Sequence, residues 1–519
     1  RQILTSQRQS VSDKADFYNE RIKKMKWKIN LFVACLSIFG LFLTVMPPIS
    51  HGAENRDELL KKILEKLENI DKRVNDLESR IEAVPQKEAA RKDLEIIESD
   101  IEDLTERLDE TETRTLVDKI SLGAELRTRS DWYDYKDQKI QGNDHVDGLV
   151  SNRFRLNLRS NVNDRFRFHA RLGLTKNWLD VDIPTPLTLR EDNYSRVSTD
   201  TTLKVERAYA DYFLESLPLA ISFGRLPGTD SLPTEFRDNS PRKSTYPGLA
   251  YDMEGDGIAL TFFLDDLIPL PDPSLRIIYS RWYEDNSSDI YRDNEMQLDD
   301  TDITIVQLES GLPDSIGDSI ILANFVYADD YSAPDLRFMG YTPVSMPESL
   351  GSSWKFTLFG ETQQIGGSFL DIFASYSFMK TSTHGTPALY DVGGGYIIPM
   401  GLLSEANSED PKGWAFHLGL RASLDALRLK DGKLGIEYNQ GSRYWCGFGG
   451  GSEDPMHKLN TRGSAWDFYY YQPFNRYFSL RIGHTRINYD YSGSQSLYQT
   501  PQPIDTRVYN THVLMDAKF

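Results

Sequence analysis

Nine arginines carry the chemistry most open to use: Arg127, Arg129, Arg153, Arg155, Arg159, Arg165, Arg167, Arg171 and Arg207. Arginine stays charged at any working pH and presents a fixed fork of donors, so a ladder of them on one wall would orient anions or water in transit. The opposing sign is supplied between residues 226 and 256, where Asp230, Glu235, Asp238, Asp252 and Glu254 cluster. Folded towards the arginines, these carboxylates would set a transverse field that selects small polar solutes. The other reading open to the same residues is that the arginines pair with neighbouring Glu125, Asp211 or Asp164 and fill a narrow interior.

Other chemistry is thinner. Residues 284–302 hold Glu284, Asp285, Asp289, Asp293, Glu295, Asp299, Asp300 and Asp302 against Arg292. Such density could attract divalent cations, but the fixed Gly and terminal Glu of an EF-hand loop are missing, so a solvated acidic loop is expected and no metal site is assigned. His169, His484 and His512 have no Ser or carboxylate at a spacing that proposes a triad, so no catalytic residue and no cofactor is expected. Trp445, Tyr469 to Tyr471, Phe478, Tyr489 and Tyr491 read as rim aromatics.

The elements that must position the arginines are extended. Within Ser151 to Lys176, Phe154, Leu156 and Leu158 share one face and Arg153, Arg155, Asn157 and Arg159 the other. After the turn Asn161-Val162-Asn163-Asp164, the pattern repeats with Phe166, Phe168, Ala170, Leu172 and Leu174 against Arg165, Arg167, His169 and Arg171. A soluble sandwich would turn the arginines to bulk water; a barrel in a bilayer would turn them to a lumen. The rest of the chain decides. About 16 alternating segments follow one another from 120–129 to 507–519. Short connections follow the even-numbered ones and long polar connections the odd-numbered ones. That sorting suits a barrel with one plain rim and one elaborated rim, and a sandwich has no reason for it. The last segment places Tyr509, Thr511, Val513, Met515, Ala517 and Phe519 on one face.

Composition agrees. Only 39% of the 519 residues are hydrophobic while aromatics reach 12%, which excludes a helical membrane protein and suits a barrel greasy at every second position. A net charge of −19 argues against a nucleic-acid partner. Residues 1–24 are polar and patternless and are expected to be a non-native upstream segment. Residues 25–53 read as a signal peptide: Lys26 and Lys28, the apolar run Leu31 to Met46, and small residues near Gly52 and Ala53. Cleavage there leaves a single cysteine, Cys446, and no disulfide within the chain. Residues 54–116 carry a coiled-coil seam, Leu60, Ile63, Leu67, Ile70, Val74, Leu77, Ile81 and Val84, resumed after Pro85 at Leu94, Ile97, Ile101, Leu104 and Leu108. Two helices of about 40 Å each are expected there, broken at the proline. Self-association, a folded-back hairpin and a solvated spacer are all compatible with that arm.

The stretches Leu434 to Trp445, Lys458 to Gly463, Gln472 to Arg476 and Asn488 to Gly493 resemble a family of uncharacterised porin-like proteins of Gram-negative bacteria with an amino-terminal coiled coil. The resemblance implies a transmembrane antiparallel β-barrel over 117–519 in the cell outer membrane, with the arm in the periplasm. In general porins the loop between the fifth and sixth strands folds into the pore, which makes 226–256 the expected constriction. The terminal Phe519 would address the outer-membrane assembly machinery. Expected surroundings are the lipid bilayer, lipopolysaccharide, two further copies in a homotrimer, and peptidoglycan or a periplasmic partner for the arm. The expected role is passive diffusion of small polar solutes or ions. Two other roles are open: a structural sheath around an electron-transfer or secretion partner, and an envelope tether.

Overall fold

The computed structural model describes residues 120–137, 142–178, 203–283, 300–334, 336–337, 340–449, 456–494 and 496–519. The segments 1–24, 25–53 and 54–116 and the acidic stretch 284–299 lie outside the described residues.

The alternating segments pair in chain order into a closed antiparallel barrel of sixteen strands. They are β1 (Ile120–Asp137), β2 (Gly142–Asn161), β3 (Phe166–Asn177), β4 (Lys204–Phe213), β5 (Leu219–Leu226), β6 (Gly255–Phe263), β7 (Ser274–Tyr283) and β8 (Thr301–Ser310). The second half comprises β9 (Asp318–Asp329), β10 (Gly351–Gln363), β11 (Leu370–Thr383), β12 (Lys412–Ser423), β13 (Lys433–Gly441), β14 (Gly463–Pro473), β15 (Phe478–Tyr491) and β16 (Pro503–Lys518). β1 closes on β16 from Glu125↔Lys518 to Asp137↔Thr506. No strand of the barrel is left with an open edge among the described residues, which is the condition a sheet must meet in hydrocarbon.

Connections sort by rim. Residues 162–165, 214–218, 264–273, 311–317, 364–369, 424–432 and 474–477 turn at the rim that also holds Ile120 and Lys518. At the opposite rim the chain leaves one strand for the next after Asp137, Asn177, Leu226, Tyr283, Asp329, Thr383, Gly441 and Tyr491. β1 and β2 depart from expectation: they run on as a hairpin to Asp137 and Gly142, well past 120–129 and 152–160. There Tyr133 packs with Met456, Ala465, Ile487 and Val508. With apolar side chains inside as well as outside, the contrast of period two fades from the sequence.

The outward face is apolar, with Leu126, Phe154, Phe168, Phe223, Ile258, Leu308, Phe356, Leu418, Phe468 and Met515 exposed. A belt of rings crosses neighbouring strands: Phe325 to Trp354 at 6.2 Å, Trp354 to Phe378 at 5.5 Å, Phe416 to Tyr438 at 5.7 Å and Tyr438 to Trp466 at 4.5 Å. Such a belt suits the level of lipid headgroups. Trp445, Tyr469 and Tyr471 do not belong to it, contrary to the rim reading, because all are buried. Tyr469 and Tyr471 share the inward parity of Asp467, and only Tyr470 between them takes the outward one.

Inside, bulky side chains lie across glycines of the next strand. Tyr469 sits over Gly435, its register partner, so that a Cβ added at Gly435 would stand 2.1 Å from the ring. Overpacking of that kind costs about 1–3 kcal/mol. G435A is therefore expected to lower the temperature at which the barrel loses its compact, heat-sensitive mobility on SDS gels. G360A, whose added Cβ would make ordinary contacts with Ile321 Cγ2 at 3.6 Å and the Ile320 carbonyl at 4.0 Å, is expected to leave it unchanged.

Candidate functional site

After β5 the chain turns inward instead of out. Residues 227–254 enter the lumen, and the short helix α1 (Thr234–Asp238) has every residue buried. Apolar contact seats it: Phe236 and Leu232 pack with Ile320, Leu322, Phe359 and Phe373 of the wall, Phe236 edge-on to Phe373 at 5.5 Å.

Charge orients it. Asp230 receives Arg207 at 2.8 Å and Arg155 at 3.4 Å, and it also pairs with Arg171. Arg155 in turn donates through Nε to Glu206 at 2.8 Å. Asp238 receives Arg127 at 3.1 Å and Arg481 at 2.8 Å from opposite sides of the β16–β1 closure. Arg421 donates to the Phe236 carbonyl at 2.6 Å while its Nε holds Asp371 at 2.6 Å. Further along, Arg242 pairs with Glu361 and, at 2.9 Å, with Asp318. Gln307 donates to the Thr245 carbonyl at 3.0 Å, and Lys355 to that of Ala250 at 3.2 Å. The loop thus spans the lumen, touching β1 to β4 on one side and β8 to β12 on the other.

These contacts shape its ionisation. Burial alone would raise the Asp230 carboxyl, yet Arg155, Arg171, Lys243 and Arg207 hold it well below the usual carboxylate range. Asp238 is likewise buried and held well below that range by Arg127 and Arg481. Glu235 goes the other way: burial and the neighbouring Glu361 push it well up. Wall and loop charges meet in contact, so the field between them is short-range and fixes the loop.

The nine arginines fall into three groups. Arg127, Arg155, Arg171 and Arg207 reach the loop, and Arg153 is buried beside them with Glu125 at 3.7 Å. Arg129 pairs with Asp131 at 2.7 Å, nearer the long-loop rim. Arg159, Arg165 and Arg167 stand near the short-turn rim: Arg159 is exposed, Arg165 pairs with Glu215, and Arg167 lies over the Phe213 ring at 4.5 Å. Of the five loop carboxylates, Asp230, Glu235 and Asp238 face the wall. Asp252 is buried and accepts from Ser231 at 3.3 Å, and Glu254 pairs with Arg225.

A second inserted loop escaped the sequence reading. Residues 442–449 and 456–462 fold in beside the first, joined to it by a short parallel pairing of Tyr251–Asp252 with Phe448–Gly449. Lys458 Nζ reaches Glu437 at 2.7 Å and also Asp467, while His417 meets Glu437 at 3.1 Å. Trp445 Nε1 donates to the Leu459 carbonyl at 2.8 Å. Arg462 donates to the carbonyls of Trp445 at 2.9 Å and Ser492 at 2.9 Å. The signal that could have found the sockets is parity: Glu361, Asp371, Arg421, Glu437, Asp467 and Arg481 all fall at buried, inward positions of their strands. An apolar cluster that includes Tyr246, Leu249, Val326, Tyr331, Met379, Tyr390, Trp445 and Phe448 fills the space between loops and wall.

Among solved structures, the chain is similar to Pseudomonas putida OprB in its high-pH structure, at 11% identity and a TM-score of 0.43 over 78% of this chain and 96% of that one. It is also similar to Salmonella typhi OmpF in complex with daunomycin, at 13% identity and a TM-score of 0.41 over 77% and 97%. A third likeness is the trimer form of Vibrio cholerae OmpT, at 10% identity and a TM-score of 0.38 over 77% and 99%. No curated protein matches the sequence. Residues 143–517, which contain the thirteen complete strands β3 to β15 and both inserted loops, match the profile of one family, and the chain belongs to it: the protein of unknown function family DUF3373.

Proposed function

We propose that this barrel is an outer-membrane porin, a passive diffusion channel for small polar solutes or ions, and not an enzyme. One observation carries the reading: a closed sixteen-strand sheet, apolar outside and charged inside, takes its fifth connection into the lumen and holds it there by arginine–carboxylate contacts. The residues that set the aperture are Asp230 and Asp238 on the loop and Arg127, Arg155, Arg171, Arg207 and Arg481 on the wall. Phe519, exposed beside the β1–β16 seam, is the assembly signal. The homotrimer, the lipopolysaccharide contact, the cleaved leader and the periplasmic arm belong to the same proposal.

The second reading is a barrel that is structural and closed. It is favoured by the apolar cluster packed between the inserted loops and the wall. Planar bilayers separate the two. Purified protein is expected to give stable current steps of equal size, and a barrel that inserts without steps would support the closed reading.

Asp230 offers the sharper test. Its loss leaves Arg155, Arg171 and Arg207 buried without their shared partner, and removing one side of a buried pair costs about 3–5 kcal/mol. D230N is therefore expected to loosen the loop and enlarge the single-channel step. In a salt gradient its reversal potential should move in the anion-selective direction, because one negative charge leaves the lumen. D238N, which takes one partner from Arg481 and from Arg127, the latter keeping Asp516 at 2.6 Å, should move both quantities the same way by less.

A further inference from the structure

Near the short-turn rim the lumen is filled unevenly. On the side of β9 to β15 the inward residues Leu322, Phe359, Phe373, Arg421, Tyr469 and Arg481 are all buried. On the side of β3 to β7 several inward side chains keep contact with solvent: His169 retains 22% of its side-chain surface and Asp211 and Arg276 18% each, and Phe263 is 36% exposed. The open part of this mouth therefore follows the wall from β3 to β7.

Within it two opposite charges face each other without pairing. Arg167 and Asp211 are register partners on β3 and β4, a placement that sets their Cβ atoms about 5 Å apart. Arg167 nevertheless lays its guanidinium over the Phe213 ring at 4.5 Å, and no carboxylate among the described residues forms an ion pair with it. Asp211 turns the other way, accepting from Ser222 Oγ at 2.6 Å and standing 3.3 Å from His169 Nε2. A fork of donors and a carboxylate with lone pairs to spare are left side by side.

Ring faces flank the gap. His169 lies against Tyr209, its register partner, with the planes 10° apart and the centroids at 4.8 Å. Phe213 and Phe263 stack at 12° and 6.3 Å across β5, whose inward residues here are the small Ala220 and Ser222. The interior of a transmembrane barrel is ordinarily polar, so rings kept at the solvent side of the wall offer a surface to something with an apolar face.

We infer that this patch binds an uncharged sugar ring, whose neighbouring hydroxyls bridge Arg167 and Asp211 while its C–H face lies on the adjoining aromatic rings. A hydroxyl both donates and accepts, so a pair of them satisfies the guanidinium and the carboxylate together. An anion would gain Arg167 and be repelled by Asp211, and a cation the reverse, so the patch selects against net charge. An amino-acid zwitterion meets both charges, but it has no C–H face beside its charged groups; the rings on either side of the gap decide for the sugar. As a stage in permeation the site rests on the channel reading and gives its substrate class. As a binding site it stands without that reading.

Saturation-transfer NMR on the purified full-length protein in detergent micelles, with methyl glucoside as the probe, reads the site directly, because the short-turn mouth is open to solvent there. Transfer to the ring protons of the sugar is expected. R167M keeps a side chain over Phe213 but loses the donors, and it should weaken binding about tenfold, as the loss of a hydrogen bond to a charged group does. F213L removes a ring without touching a charge and should weaken binding as well. In planar bilayers, added methyl glucoside is expected to lower the wild-type current step saturably. Absence of transfer in the wild type, wild-type affinity in both R167M and F213L, or tighter binding of free alanine than of methyl glucoside overturns the inference. Transfer without any current keeps the sugar site and overturns the channel reading, and current steps without transfer do the reverse.

Discussion

A bilayer offers no hydrogen-bond partner to a backbone, and the pairing of β1 with β16 is how this chain meets that constraint. Closure has a second consequence that governs everything inside. Once the sheet is a cylinder, parity governs each strand between its bulges: every second residue meets lipid and the others meet one another across a narrow space, and at the register shift beside Arg171 and Leu172 both Glu206 and Arg207 turn inward. Arg155 and Arg171 point inward for the same reason that Phe154 and Leu172 point outward. The charged interior is thus the other half of the apolar exterior, fixed by one register.

An interior of that kind is costly unless the charges find partners. Desolvated arginines left alone would each cost several kcal/mol, and wall carboxylates such as Glu206 and Glu125 meet only part of the need. The inserted loop brings Asp230 and Asp238 to the places where guanidinium groups from three strands and from two strands converge. Loop and wall are each poorly satisfied without the other. Opposed charges that could have spanned an open aperture instead touch, and the loop's position is held by short-range, charge-assisted contacts rather than by a diffuse field.

Much of this was legible in residue order. Period two along Phe154 to Leu158 and Phe166 to Leu174 survives because lipid outside and arginine inside contrast so strongly. The sorting of long and short connections identified the rims. Where the contrast is lost, so is the signal. Tyr133 and Ile487 point inward into a packed cluster, and nothing in their order says so. Trp445 and Tyr469 looked like rim aromatics because an aromatic is amphipathic anywhere. Only the fold shows that a ring lies flat over Gly435 or that an indole N–H meets the Leu459 carbonyl.

The stretches whose wording resembles a known family gain a physical meaning from the second loop. Glu437 and Asn439 lie in the first of them, and Lys458, Asn460 and Arg462 in the second. Glu437 takes Lys458, Asn439 takes its carbonyl, and Arg462 ties Trp445 to the Ser492 carbonyl. One stretch is thus largely the socket and the other largely the plug. The first loop leans on the same residue, since Arg237 also faces Glu437. Glu437 therefore receives cations from both inserted loops, and a displacement of either must change the field felt by the other. Two loops that share a counter-ion move as one body more readily than as two, so the lumen is occupied by the pair and not by the first loop alone.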